Sequence, residues 1–297
     1  MREIQGIIPP TVTPFIKGTK KVDTGVVREH MEFLIERGIH GVFVAGSTGE
    51  GLLFGFEEHG RLLETVVEQV RGRMIVIAHV GAIDTLTAIE LVNQAKQLGV
   101  DAVAAVAPFY YKYQDDCLMR YYLDISDACN DTRFFIYNNP FTTGHTVSPA
   151  LARKIAELCP NFAGIKDSSE QIQHISQYVA ILPNHAVVVG NTGMIVPSLS
   201  VGCVGAVAGM ANCVPELIVD LWNTYIGGDS KGATVKQHQI NDITARFKVG
   251  PSISVYKYIL ELRGFNFEYS LPPMREFNEE EKARIREVFE EVKPMLH

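Results

Sequence analysis

The sequence is short of positive charge and of cysteine, and it has no long apolar run. Its 27 Lys and Arg residues are outnumbered by 34 Asp and Glu residues, which gives a formal net charge of −7. Without a basic excess, nucleic acid and anionic membranes are poor partners. No apolar run approaches the roughly eighteen residues of a membrane span, and no signal-peptide pattern follows Met1, so we expect a cytoplasmic protein.

The motifs of several cofactor-dependent enzymes are also absent. The five cysteines are odd in number and never in a CxxC spacing, which indicates reduced packing thiols. None of the nine histidines forms HExxH or HxH, and His79 is interpreted as a core imidazole. Neither GxGxxG nor GK[ST] occurs, which argues against dinucleotide and P-loop nucleotide binding. We therefore expect no metal and no cofactor.

Eight short β-rich runs alternate with amphipathic stretches. The runs are continuously apolar, which is typical of parallel strands covered on both faces. They span residues 6–15, 41–46, 74–81, 102–108, 133–138, 162–166, 186–190 and 205–209. Eight successive strand-then-helix units predict an α/β fold, a (β/α)8 TIM barrel, over residues 1–222. Gly38, Gly99 and Gly202 each precede a strand, where we expect the left-handed conformation that ends a helix.

The remaining residues, 223–297, are interpreted as a C-terminal helical extension of the same unit. Helices are predicted near residues 231–247, 252–262 and 279–292. Only short breaks that contain Pro or Gly divide them, so a separate domain is not expected.

Lys166 is the most informative residue, because it ends the apolar run 162–165. Burial favours the neutral amine and turns an inert cation into a nucleophile that condenses with a ketone. The structural alternative is a strand-end lysine paired with Asp167.

Two other polar clusters fall at predicted strand ends, which form the active-site face of a barrel. The second strand ends in Gly46-Ser47-Thr48-Gly49-Glu50, and the fifth ends in Tyr137-Asn138-Asn139-Pro140. A phenol beside a carbinolamine can pass protons if a second hydroxyl continues the relay, as Ser47 or Thr48 could. Tyr110 and Tyr111 after the fourth strand add two further phenols, for which loop packing or a subunit contact is the alternative.

Together these clusters resemble the dihydrodipicolinate synthase and N-acetylneuraminate lyase (DapA-like) family of pyruvate-dependent Schiff-base barrels. The likeness spans nearly the whole chain. It is carried by the opening strand 6–15, by the clusters at 46–50, 108–111, 137–140 and 164–167, and by Leu271-Pro272-Pro273.

The resemblance implies residue roles and an assembly. Lys166 would form the iminium, with Tyr137 as proton relay and Thr48 continuing it. Ser47 and Thr48 would bind the pyruvate carboxylate, and Tyr110 would reach into a neighbouring subunit's site. Gly190 would line the substrate pocket. We also expect Val207 and, through its hydroxyl, Thr142 to bind the substrate. Such enzymes are commonly homotetramers built as dimers of dimers.

Departures from the family patterns bear on the substrate. The synthases usually carry an arginine where this chain has Thr142, and sialic acid lyases place acidic residues where it has Asn191 and Thr192. We therefore expect a class I aldolase that acts on a 2-keto-3-deoxy sugar acid or a 4-hydroxy-2-oxoglutarate type substrate. The alternatives are 4-hydroxy-tetrahydrodipicolinate synthase, a keto-sugar-acid dehydratase and, from another class, a non-catalytic sugar-acid-binding barrel. With Thr142 in place of arginine, aspartate semialdehyde is expected to be a poor acceptor.

Overall fold

The computed structural model describes residues 2–267 and 269–296. Its strands are Gly6–Ile7 (β1), Gly41–Val44 (β2), Ile75–His79 (β3), Ala102–Val106 (β4), Arg133–Asn138 (β5), Phe162–Asp167 (β6), Ala186–Val189 (β7) and Gly205–Ala206 (β8). Its helices are Thr24–Glu36 (α1), Phe56–Val70 (α2), Thr85–Gln97 (α3), Asp115–Cys129 (α4), Pro140–Thr143 (α5), Pro149–Leu158 (α6), Ile172–Ile181 (α7), Ile195–Ser200 (α8), Pro215–Ile226 (α9), Ser230–Arg246 (α10), Ser252–Leu262 (α11) and Glu279–Val292 (α12).

The eight strands pair in parallel, in the order β1-β8-β7-β6-β5-β4-β3-β2. A parallel bridge between Pro10 and Phe43 joins the segment after β1 to β2 and brings the two ends of the sheet together. With helices between the strands, this is the predicted α/β barrel, and the prediction is confirmed.

The first strand is shorter than predicted from the run 6–15. Pro9 and Pro10 have no N–H to donate, so the regular ladder stops at Ile7. The segment still runs beside β2, because the Phe43 N–H donates to Pro9 O (2.9 Å) and the Thr11 N–H donates to Phe43 O (3.0 Å). The barrel therefore closes without a long first strand.

Side chains alternate between the barrel interior and the layer beneath the helices. Ile75 and Ile77 of β3 belong to the interior cluster, whereas Val76 and Ala78 pack in the outer core. Both faces are buried, which explains why the strand sequences read as continuous apolar runs. The glycines before β2, β4 and β8 have φ of +73° (Gly38), +78° (Gly99) and +104° (Gly202), as predicted for residues that end helices in the left-handed region.

The last barrel helix, α9, runs through the boundary predicted after residue 222 and ends at Ile226. The predicted helix near residues 279–292 is α12, and its buried residues Ile285, Val288, Phe289 and Val292 form an apolar stripe. Within the described ranges, no helix is long and apolar enough to cross a membrane.

Candidate active site

The Lys166 side chain lies inside the barrel near the C-terminal ends of the strands. It is 4% exposed, and its Cα pairs in register with Tyr137 of β5 and Val188 of β7. Its Nζ lies 3.8 Å from the ring centroid of Phe43 and 3.7 Å from that of Tyr137. Burial lowers the pKa of Lys166, and the neighbouring Tyr137 opposes the shift only in part. The neutral, nucleophilic form of Lys166 is therefore reached at a lower pH than for an exposed lysine.

Asp167 does not neutralise this lysine. Successive residues of a strand point to opposite faces, so Asp167 faces away from the interior. Its carboxylate accepts hydrogen bonds from Asn138 Nδ2 (2.6 Å) and from Ser169 Oγ (2.7 Å). The alternative of a simple Lys166–Asp167 pair is therefore wrong for the described structure.

The Tyr137 hydroxyl is surrounded by groups that favour its ionised form. Burial raises the pKa of Tyr137, but the Lys166 charge and hydrogen bonds from Ser47, Lys166 and Ser168 outweigh it and hold the pKa below its usual value. The hydroxyl oxygen also accepts a hydrogen bond from Asn139 Nδ2 (3.0 Å). A phenol whose pKa lies below its usual value, in contact with an amine, is suited to proton transfer.

The loop after β2 turns sharply to bring Ser47 and Thr48 to the same place. Ala45 and Glu50 have φ of +57° and +59°, which is rare for residues with side chains. A Cβ at Gly51 would lie 1.8 Å from Ala45 O, so only glycine fits there. This tight turn directs Ser47 to the Tyr137 hydroxyl and Thr48 to the cavity above Lys166.

A buried ion pair anchors this loop to the C-terminal extension. The Glu50 carboxylate accepts hydrogen bonds from Lys257 Nζ of α11 and from the Leu271 N–H (2.7 Å). Lys257 Nζ also donates to Tyr269 O (2.8 Å). Burial raises the pKa of Glu50 and lowers that of Lys257, while the charge of each partner opposes the shift of the other. The extension therefore helps to shape the loop that carries Ser47 and Thr48.

His79 lies among the aromatic rings below the lysine. Its ring centroid is 5.9 Å from that of Tyr137 and 6.1 Å from that of Phe43. Burial and then the Lys166 charge lower the pKa of His79 to about 3, so its imidazole is neutral at pH 7. It is a core imidazole, as predicted. Its Nε2 has no hydrogen-bond partner among the described residues.

A cavity of about 420 Å³ opens above Lys166 at the C-terminal face of the barrel. Its inner end is lined by Thr48, Tyr137, Lys166, Gly190 and Val207. A larger cavity of about 790 Å³ lies at the opposite face, around the first residues of β5, β6 and β7. We take the smaller cavity as the candidate active site, because it holds the reactive lysine and because barrel enzymes use the C-terminal face.

The structure brings most of the predicted site residues to this cavity, but not all of them. Gly190 leaves the room that a side chain would fill, since a Cβ there would lie 1.9 Å from Ser168 Oγ. Thr142 is exposed on α5, where its hydroxyl donates to Asn139 O (3.3 Å), and it is not among the described lining residues. Tyr110 is 82% exposed, and its φ of +78° is unusual for a bulky residue.

Sequence reasoning missed one wall of the cavity and the apolar partner of the lysine. The wall includes residues of α10 and α11, where no motif predicts a site, and Phe43 lies within an apolar strand that carries no motif. The described residues hold no cluster of three or more His, Cys, Asp or Glu side chains that could bind a metal ion.

The chain is similar to known proteins over nearly its full length. The model of the dihydrodipicolinate synthetase family matches residues 3–292. An uncharacterized DapA-like lyase of Halobacterium salinarum is 32% identical, covering 95% of this chain and 92% of its own. The 4-hydroxy-tetrahydrodipicolinate synthase of Methanopyrus kandleri is 31% identical, covering 96% and 95%.

Solved structures agree with the sequence relatives. A catalytic lysine mutant of the Ruminococcus gnavus sialic acid aldolase superposes with a TM-score of 0.95 at 26% identity, covering 100% of both chains. YagE of Escherichia coli K12, a prophage protein of the dihydrodipicolinic acid synthase family solved with pyruvate, gives a TM-score of 0.93 at 27% identity, covering 98% of this chain and 99% of its own.

Proposed function

Because the chain belongs to the dihydrodipicolinate synthetase family, we propose that it is a class I pyruvate-dependent aldolase whose Schiff-base residue is Lys166. Membership of this family makes the chain a lyase, in line with its DapA-like and sialic acid aldolase relatives. The observation that carries the proposal is the buried Lys166 amine, with its pKa lowered by burial and the Tyr137 hydroxyl beside it. The pyruvate bound to YagE supports pyruvate as the shared substrate.

In the cleavage direction, the Lys166 amine adds to the keto carbon of the substrate, and loss of water leaves an iminium. Removal of the proton from the C4 hydroxyl then breaks the bond between C3 and C4, and the bonding electrons move to the iminium nitrogen. An aldehyde leaves, and an enamine remains on the lysine. Protonation of the enamine carbon and hydrolysis release pyruvate and restore the amine.

Tyr137 is the proposed proton carrier for these steps. Its lowered pKa favours the phenolate that takes the C4 hydroxyl proton, and the same oxygen can return a proton during carbinolamine formation. Thr48 lines the cavity beside it and is proposed to continue the relay. Ser47 and Thr48 are proposed to hold the pyruvate carboxylate, with Gly190 and Val207 lining the same end of the cavity.

Tyr110 and the assembly belong to the same proposal. Large apolar side chains are exposed in segments that follow three neighbouring strands, and they are Leu52, Phe56, Ile83, Leu86, Tyr110 and Tyr111. An apolar surface of this kind marks an association site. We propose a homotetramer built as a dimer of dimers, in which Tyr110 reaches the site of a neighbouring subunit.

The acceptor aldehyde distinguishes the remaining candidates. A 2-keto-3-deoxy sugar acid would release a hydroxylated aldehyde and 4-hydroxy-2-oxoglutarate would release glyoxylate, whereas a synthase would add pyruvate to aspartate semialdehyde. The second candidate is retained because relatives such as that of Methanopyrus kandleri are synthases.

Turnover of pyruvate with glyceraldehyde, glyoxylate and aspartate semialdehyde tests the function. The proposal requires carbon–carbon bond formation with at least one acceptor, and Lys166→Ala should abolish it. If no acceptor gives product, or if Lys166→Ala retains turnover, the proposal is wrong.

A further inference from the structure

The outer wall of the active-site cavity is a polar face of the appended helix α10. Asn241, Thr244, Ala245 and Lys248 line the cavity, and the spacing of the first three places them on one side of the helix. Lys248 lies two residues beyond the last helical residue, Arg246, so it stands at the end of this face.

This wall is held firmly against the loop after β7. Gln237, one turn before Asn241, is buried, and its Nε2 donates to Thr192 O (3.0 Å) while its Oε1 accepts from the Val196 N–H (3.0 Å). Gln237 Nε2 also donates to Asn241 Oδ1 (2.9 Å). A binding surface fixed in this way loses little conformational entropy when a ligand arrives.

Two polar groups of the wall have no partner among the residues that the structure describes. Thr244 Oγ1 is shielded from solvent yet makes no hydrogen bond within the described part of the chain. Lys248 is exposed at the cavity, and its Nζ forms no ion pair with any residue that the structure describes. The carboxylate of the cavity, that of Glu170, already accepts a hydrogen bond from Asn191 Nδ2 (2.7 Å). An unpaired cation beside an unsatisfied hydroxyl is a combination that an anionic group would satisfy.

We infer that Lys248, Thr244 and Asn241 form an outer subsite that binds a carboxylate at the far end of the second substrate. The inference rests on the proposed function, which assigns the inner end of the cavity to pyruvate. A singly charged carboxylate is favoured over a phosphate, because the subsite offers one cation and the C-terminal end of α10 contributes a partial negative charge. The preferred acceptor is thus an aldehyde that carries a carboxylate remote from its carbonyl group, and the cleaved substrate is a 2-oxo acid with a second terminal carboxylate.

A cation at Lys248 would compensate for the absence of an arginine at position 142. Threonine in place of arginine was the reason to expect weak binding of carboxylated acceptors, but Thr142 lies outside the described lining and Lys248 lies within it. In the synthases an arginine at the position of Thr142 usually supplies the positive charge, whereas in this chain Lys248 would supply it.

Succinic semialdehyde and butanal provide a matched pair of acceptors, because they differ only by a carboxylate in place of a methyl group. We expect wild-type kcat/KM with pyruvate to be at least about tenfold higher for succinic semialdehyde, the scale of one charge-assisted hydrogen bond. Lys248→Met should reduce this ratio to about one, and Lys248→Arg should restore most of it. Lys112→Met is the control, since Lys112 is exposed and donates to Gly144 O (3.4 Å), and it should leave the ratio unchanged.

The outcomes separate the inference from the proposed function. Equal turnover of the two acceptors by the wild type, or a ratio that survives in Lys248→Met, would overturn the outer subsite and leave the aldolase intact. Absence of turnover with every acceptor would overturn the aldolase, and the subsite with it.

Discussion

Replacing Lys257 with methionine should destabilise the barrel strongly, although Lys257 touches no substrate in the proposed mechanism. The Lys257 side chain is 2% exposed and that of its partner Glu50 is 0% exposed, so both charges are removed from water. After the substitution, the carboxylate would keep the hydrogen bond from the Leu271 N–H but lose its counter-charge. Removing one partner of a buried pair costs about 3–5 kcal/mol.

A loss of this size is a large fraction of the 5–15 kcal/mol that is typical of folded proteins. Urea unfolding followed by circular dichroism measures it as a lower free energy of unfolding. The double variant Glu50→Gln/Lys257→Met should lose less than Lys257→Met alone, because no uncompensated charge stays buried. Arg153→Met is the matched control: its pair with Glu157 is 65% and 59% exposed, and its loss should change stability by no more than about 0.5 kcal/mol.

The same substitution should weaken pyruvate binding, because Glu50 holds the loop that carries Ser47 and Thr48. A higher KM for pyruvate in folded Lys257→Met is the expected second effect. If Lys257→Met costs no more than Arg153→Met, the reasoning from burial is refuted.

Three further predictions concern the chemistry. Tyr137→Phe should keep the fold, judged by circular dichroism, and slow turnover by about 10² or more, since only the proton-carrying oxygen is lost; near-normal turnover would place the relay elsewhere. On the acid limb of the pH profile, kcat/KM should fall as Lys166 becomes protonated, because only the neutral amine attacks. Burial lowers the pKa of Lys166, so this fall should occur below the pH at which an exposed lysine takes up its proton. A flat acid limb would contradict this. Tyr110→Phe should slow turnover, and oligomers that mix Tyr110→Phe with the inactive Lys166→Ala should turn over faster than Tyr110→Phe alone if Tyr110 acts across subunits. A mixture with no such gain would confine Tyr110 to its own subunit.

The barrel could be predicted from sequence because its signals are local. Each strand is a short apolar run and each helix has its own stripe, so the eight units can be counted without knowledge of contacts. Strand ends were less predictable at β1, where the prolines stop the ladder while the chain continues beside β2. The prediction of Lys166 as an interior residue depended on its position at the end of an apolar strand.

The parts that sequence could not supply depend on contacts between distant residues. Glu50 and Lys257 are 207 positions apart, and nothing near either residue indicates the other. The cavity wall from α10 is also far from Lys166 in sequence. Its polar residues are typical of a solvent-exposed helix face, and only the tertiary structure shows that this helix lies at the mouth of the barrel. Phe43 carries no polar signal, yet it forms one side of the lysine's apolar surroundings.

Borohydride trapping with pyruvate tests the central claim most directly, because reduction converts the reversible imine on the enzyme into a stable amine. Intact-protein mass spectrometry should show one reduced pyruvyl group per chain in the wild type, and peptide mapping should place it on Lys166. The adduct should persist in Lys112→Ala, an exposed-lysine control, and be absent from Lys166→Ala. The same adduct in Lys166→Ala, or its location on another lysine, would contradict the assignment of Lys166 as the Schiff-base residue.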